Sequence, residues 1–123
     1  MQLGLFETIK LRFYLERTFK MNLLTDEIKE LFREYPLYSQ DGKGLDSVVL
    51  VKYFNPVGLG EWYITEAEQQ PDGDWLLFGL CEIDFQEWGY VLLSEIQNLK
   101  LPFGLGIERD LYMRKGATVK ELI

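Results

Sequence analysis

The apolar positions follow two different periods along the chain. Ile28, Leu31 and Phe32 recur at helical spacing after Thr25, a suitable N-cap. Asp26 and Glu27 follow in the first turn, where the helix dipole favours negative charge. Pro36 ends that helix, and Ser39 to Gly44 reads as a polar loop. From Leu45 the period becomes that of a strand, with Val48 to Val51 running into Tyr53 and Phe54. Asn55 to Gly60 is a turn. Glu61 to Glu68 then alternates, placing Trp62 and Ile64 on one face and Tyr63 and Thr65 on the other. Trp75 to Glu82 is nearly continuous apolar sequence, which predicts a central strand, and Gly89 to Leu93 predicts a fourth. Between the second and third strands, Pro71-Asp72-Gly73-Asp74 predicts a hairpin of type I′ geometry.

After the fourth strand, Ser94-Glu95-Ile96-Gln97 has capping-box spacing and opens a short helix that ends before Pro102. Asp110 to Met113 reads as a last edge strand. Thr118 to Glu121 repeats the capping pattern with too few residues behind it for a stable helix. The expected fold is α+β: an N-terminal helical segment packed on an antiparallel meander of four to five strands, with one short helix after the fourth. Residues 1–20 carry Leu5, Ile9 and Phe13 at helical spacing and form an expected amphipathic extension; residues 21–123 form a single domain.

Charge divides the chain more sharply than hydropathy does. Lys10, Arg12, Arg17 and Lys20 against Glu7 and Glu16 give residues 1–20 a net +2, so residues 21–123 carry −9 of the total −7. Between Lys52 and Lys100 there is no base. Nine carboxylates stand there unopposed: Glu61, Glu66, Glu68, Asp72, Asp74, Glu82, Asp84, Glu87 and Glu95. All three tryptophans lie in the same stretch, so it folds and is not an acidic tail. An acidic folded surface repels nucleic acid and membrane phosphate and attracts basic proteins. The first eight of these carboxylates are the candidate partner-binding residues, with a merely solvated sheet face as the alternative account.

Histidine is absent and Cys81 is the sole cysteine. Ser-His and Cys-His nucleophile pairs and His- or thiolate-ligated metal sites are thereby excluded. No catalytic residue, metal or cofactor is expected. With one cysteine, no internal disulfide forms, and a cytoplasmic setting is expected. Charged residues interrupt any signal-like apolar run near the start, and no run is long enough to cross a bilayer.

Three motifs have a chemical reading beside a structural one. The Pro-x-Gly-Leu-Gly pattern at Pro56–Gly60 and again at Pro102–Gly106 lacks the Lys-Ser/Thr of a phosphate loop and reads as paired turns at sheet ends. Pro71-Asp72 with Glu82-Ile83-Asp84 has the outline of a Mg²⁺-dependent nuclease site, but Asp84 occupies the position of the lysine. Glu108-Arg109-Asp110 could clamp a polar ligand; structural ion pairs that fix the C-terminal segment are the simpler expectation. Trp62, Trp75, Phe78, Phe85, Trp88 and Tyr90, without interleaved bases, read as core and not as base-stacking platforms.

Lys52-Tyr53-Phe54-Asn55-Pro56, Trp62 to Glu66, Asp74 to Gly79, Gly89-Tyr90 with Leu93-Ser94-Glu95, and Leu101-Pro102-Phe103-Gly104-Leu105-Gly106-Ile107-Glu108-Arg109-Asp110-Leu111-Tyr112 together resemble a small bacterial domain-of-unknown-function family. That family is common on plasmids, conjugative elements and phage-derived islands, and the resemblance covers about residues 21–113. It has no established catalytic residues. The resemblance implies a mobile-element protein that acts by protein–protein binding. The first reading is a counter-defence inhibitor, anti-CRISPR or anti-restriction, whose acidic surface engages a Cas or restriction nuclease without touching nucleic acid or membrane. The second is a non-catalytic accessory of plasmid maintenance or transfer, and the third a carboxylate–metal hydrolase.

Overall fold

In the computed structural model the described residues are Gly4 and 21–123; the expected helix over residues 1–20 lies outside them. Helix α1 spans Asp26–Glu34. The Thr25 hydroxyl accepts the Ile28 N–H at 3.2 Å, and the chain turns out of the helix at Tyr35, just before Pro36. Ile28 and Phe32 point inward, as their spacing requires.

The five strands are β1 (Val51–Phe54), β2 (Glu61–Gln69), β3 (Trp75–Glu82), β4 (Gln86–Leu92) and β5 (Glu108–Arg109). They form one antiparallel sheet in the order β4-β3-β2-β1-β5. The first four make the expected meander, and β5 returns to pair with β1 at the far rim. Helix α2 (Leu93–Gln97) follows β4, and helix α3 (Val119–Leu122) closes the chain.

Four local expectations are corrected. The first strand begins at Val51 because Val48 and Val49 bond to the C-terminal segment: Val49 N–H donates to Ala117 C=O at 2.8 Å and Val48 bridges Thr118. The hairpin turn is not type I′. That geometry needs positive φ at both central residues, which Pro71 cannot adopt; Gly73 N–H bonds back to Gln70 C=O and Gly73 alone is left-handed, at φ 92°. The last edge strand lies at Glu108–Arg109, earlier than expected, because the Asp110 carboxylate takes the Tyr112 N–H and turns the chain away. Residues 119–122 do form a helical turn. Buried Val119 anchors it, Thr118 and Glu121 cap it reciprocally, and Arg114 pairs with Glu121.

The main core lies on one face of the sheet. There Leu23, Ile28 and Phe32 pack with Tyr53, Trp62, Ile64, Ala67, Trp75 and Leu77, and with Leu93 and Ile96 from α2. Phe32 and Trp75 meet with ring centroids 5.3 Å apart. The Tyr53 hydroxyl, fully buried, donates to Leu23 C=O at 2.6 Å, and burial raises its pKa well above the ordinary range. A smaller cluster on the opposite face joins Val49, Tyr63, Leu80 and Val119, with Met113 and Leu122 against it. The C-terminal segment therefore covers the second face over β1 and β2.

Candidate interaction surface

The second face of the sheet is organised by a bulge in β2. Ile64 pairs with Gly79 and Glu66 with Phe78, leaving Thr65 as an extra residue. Strict alternation from Trp62 and Ile64 would send Glu66 into the main core. The extra residue sends Ala67 there instead and moves Glu66 to the second face, opposite Phe78. Gly79 makes this possible: a Cβ at that position would lie 1.9 Å from the Tyr63 carbonyl oxygen.

Glu66 is buried, with 3% of its surface exposed, and both carboxylate oxygens are occupied. One accepts Tyr38 N–H and the other Gln40 N–H, each at 2.8 Å. Gln40, equally buried, accepts Val48 N–H and donates to Val48 C=O and Thr65 C=O. These bonds lock the loop after α1 onto the bulge and hold Tyr38 at φ 73°, an uncommon conformation for a tyrosine, with its ring exposed.

Beyond that lock, and past Leu80, which is buried against Val49, Tyr63 and Val119, the described residues leave the face open. Leu76, Phe78 and Leu80 of β3 lie directly opposite Leu92, Tyr90 and Trp88 of β4. Phe78 stacks on Trp88 at 5.9 Å and meets Tyr90 at 4.9 Å. Tyr90 remains 53% exposed and Trp88 38%, with Tyr38 beside Tyr90 at 66%. Partial desolvation, with Tyr38, Glu66 and Asp41 adding, raises the Tyr90 hydroxyl above its ordinary value. Trp62 and Trp75 are core, as expected, but Phe85 is exposed at a hairpin tip and Phe78, Trp88 and Tyr90 form a solvent-facing aromatic strip. The sequence signal for that strip is the alternation in β4, where Gln86, Trp88, Tyr90 and Leu92 share one face.

The eight candidate carboxylates do not make one patch. Glu68, Asp72 and Asp74 stand at the end of the sheet that holds the β2–β3 turn. Glu61, Glu82, Asp84 and Glu87 stand at the other end, about 25 Å away at a rise of about 3.3 Å per residue. That separation is about three Debye lengths at physiological salt, so the two groups act independently. Glu66 between them is structural. Asp74 is partly committed as well: it accepts Ser94 Oγ, Ser94 N–H and Trp75 N–H, and the Ser94 bond above all holds its carboxyl below the usual range. Ser94 therefore ties α2 to the hairpin instead of capping it, and Glu95 reaches back to Leu92 N–H.

Glu61 accepts the Tyr63 hydroxyl at 2.7 Å and pairs with Lys52 at 3.4 Å; the phenol chiefly, and the lysine with it, lower its pKa. Lys52 also sits 5.2 Å from the Tyr63 ring centroid. Glu68, Asp72, Asp84 and Glu87 are exposed. Next to Asp84, Leu59 and Phe85 project from adjacent hairpin tips at 77% and 68% exposure.

Among the described residues, Arg109 and Asp110 make bonds to the backbone and no ion pair joins Glu108, Arg109 or Asp110. Arg109 donates to Asn22 C=O at 2.9 Å, the Asp110 N–H bonds Lys52 C=O, and the Asp110 carboxylate is taken by Tyr112 N–H. Among the described residues, the ion pairs join Lys29 to Asp26, Lys52 to Glu61 and Arg114 to Glu121. Asp72 and Glu82 lie at opposite ends of β3, so the nuclease-like arrangement is not assembled. Of the two Pro-x-Gly-Leu-Gly stretches, the first turns β1 into β2 as expected, whereas the second belongs to the connection from α2 to β5.

Among the described residues no helix is long and apolar enough to cross a membrane. No curated protein and no solved structure matches the chain. A family model does match, over residues 23–122, and by it the chain belongs to the family described as protein of unknown function, DUF2958.

Proposed function

We propose that the protein is a non-catalytic binding module whose partner is a basic protein, engaged through the open half of the sheet. The observation that carries this reading is the aromatic strip Phe78, Trp88 and Tyr90. It stays solvent-facing on an uncovered sheet face, within a stretch of sequence that holds nine carboxylates and no base. Exposed aromatics rimmed by charge mark protein interaction sites, with the aromatics supplying contact energy and the charges steering encounter. Glu68, Asp84 and Glu87 provide the steering charge. Glu66 offers a partner no direct contact, because it is buried and its oxygens are already bonded.

Within that class, a counter-defence inhibitor of a host nuclease is the reading favoured by charge sign and by the resemblance to mobile-element proteins. Nucleic-acid channels are basic, and an acidic surface complements them. The non-catalytic part is supported by the lack of histidine and by the separation of Asp72 from Glu82.

The test is a partner captured with the intact protein and then measured in purified form. Affinity should fall steadily as salt rises from about 50 to about 500 mM. Charge reversal at Glu68, Asp84 and Glu87 should slow association while leaving thermal stability nearly unchanged. A complex indifferent to salt and to those reversals, or direct binding of duplex DNA by the protein alone, would contradict the proposal.

A further inference from the structure

A strand at the rim of a sheet presents an outward row of N–H and C=O groups, and proteins commonly guard such rows with lysine, proline, a bulge or a covering element. Among the described residues, strand β4 has none of these guards. Its seven residues pair with β3 without a register shift, from Leu76 opposite Leu92 to Glu82 opposite Gln86. The strand contains no Lys, Arg or Pro. Among the described residues, no bond from outside the sheet reaches the main chain of residues 86–91; only at Leu92 does the N–H turn to Glu95.

We infer that β4 takes up an extended segment of the partner as a sixth strand, in which basic and apolar residues alternate. This rests on the reading that the partner is basic, and it specifies the mode of recognition. Main-chain bonds to the free rim supply affinity, and side chains on the two faces supply selectivity. On the open face the added strand lies beside Trp88 and Tyr90, whose rings accept a guanidinium or ammonium group. On the other face it lies beside Glu87 and Val91, one acidic and one apolar. Glu82, Asp84 and Glu87 place the acidic charge near the Gln86 end, so the bases of the alternating segment are held most strongly at that end. A second copy of this chain is a poorer occupant, because each copy carries −7.

The experiment uses the full chain and a blocked nonapeptide of alternating arginine and valine. Two isomers of the peptide carry N-methyl groups along one edge or the other. Bound peptide should slow amide exchange along β4 by about tenfold or more. One methylated isomer should bind about tenfold more weakly than the parent, and the other should match it. Gly89→Lys, at a site where a Cβ meets nothing within 4 Å, should retain the fold and weaken the peptide by about tenfold. Equal binding by both isomers overturns strand addition and leaves the basic-partner reading standing. Equal binding by a glutamate–valine peptide overturns the basic-partner reading. Dimerisation with β4 protection in the absence of peptide assigns the rim to a second copy, and no binding by the arginine–valine peptide overturns the inference outright.

Discussion

At one rim of the sheet, β5 contributes two residues, and Arg109 at that rim is already bonded. Arg109 N–H meets the Met21 sulfur, its guanidinium takes the Asn22 carbonyl, and Asp110 turns the chain away. At the other rim, β4 contributes seven residues, a regular register and two exposed aromatic rings. The faces differ in the same sense. Over β1, β2 and Leu80 of β3 the second face is covered by Val119 and Leu122, whereas over Phe78 and β4 the described residues leave it exposed. The closed half spends its polar groups on itself, through the Glu66 lock, Gln40 and the Lys52–Glu61–Tyr63 cluster. Polar side chains are satisfied in the closed half, and the open half, where binding is proposed, leaves aromatic surface uncovered among the described residues.

That contrast fails if the lock carries no weight. Gly79→Ala should have the largest effect, a loss of about 3 kcal/mol or outright unfolding in urea, because its Cβ collides with main chain that cannot yield without undoing the bulge. Next comes Glu66→Ala, which strands two main-chain N–H groups and should cost roughly 2–4 kcal/mol by urea unfolding. Glu68→Ala, two residues away and exposed, should stay within about 0.5 kcal/mol. If Glu66 and Glu68 proved equivalent, the division between structural and available carboxylates would be wrong.

A smaller effect concerns acid. Glu61 and Asp74 have folded pKa values below their unfolded ones, owing chiefly to Tyr63 and Ser94 respectively. Their contribution is complete above the ordinary carboxylate range and is lost as pH falls through the lowered folded values. Glu61→Gln and Asp74→Asn should therefore flatten the acid limb of a urea-midpoint against pH curve and leave little change in its shape at neutral pH. An unchanged acid limb would remove both bonds from the account of stability. Trp88→Ala should also affect folding little, within about 1 kcal/mol, since the ring is partly exposed; its effect on partner affinity should be about tenfold or more.

Much of the closed half was legible in the sequence. Thr25, Ile28 and Phe32 specify α1, and the apolar run from Trp75 gives the bounds of β3, because local capping and periodicity decide them. The bulge was not legible: alternation from Glu61 to Glu68 runs on unbroken, and only a glycine inside an apolar strand marks the close approach. Without the bulge, Glu66 could not be told from Glu68. The hairpin was misread through Asp72-Gly73: the turn closes one residue earlier, from Gln70 to Gly73, with Pro71 and Asp72 central and Gly73 left-handed after it. The aromatic strip was read as core because hydrophobicity alone does not say which face is left uncovered. What covers the second face arrives from Val119 and Met113, far along the chain. The candidate site was therefore legible in its charge sign and in Glu68, Asp84 and Glu87, but not in its centre.

Two exposed tyrosines offer the most direct measurement. Tyr90 lies on the bare half, and Tyr112 follows the closed rim at 95% exposure. A photo-crosslinking phenylalanine analogue placed at each position in turn, in the full chain within cells, should capture a Lys/Arg-rich protein from position 90 and nothing matching from position 112. When the irradiation is repeated in lysate, the yield of adduct should fall with rising salt, and Trp88→Ala should abolish it. Crosslinking of the same partner from position 112 alone, or equally from both, would contradict the claim that the open half is the binding surface.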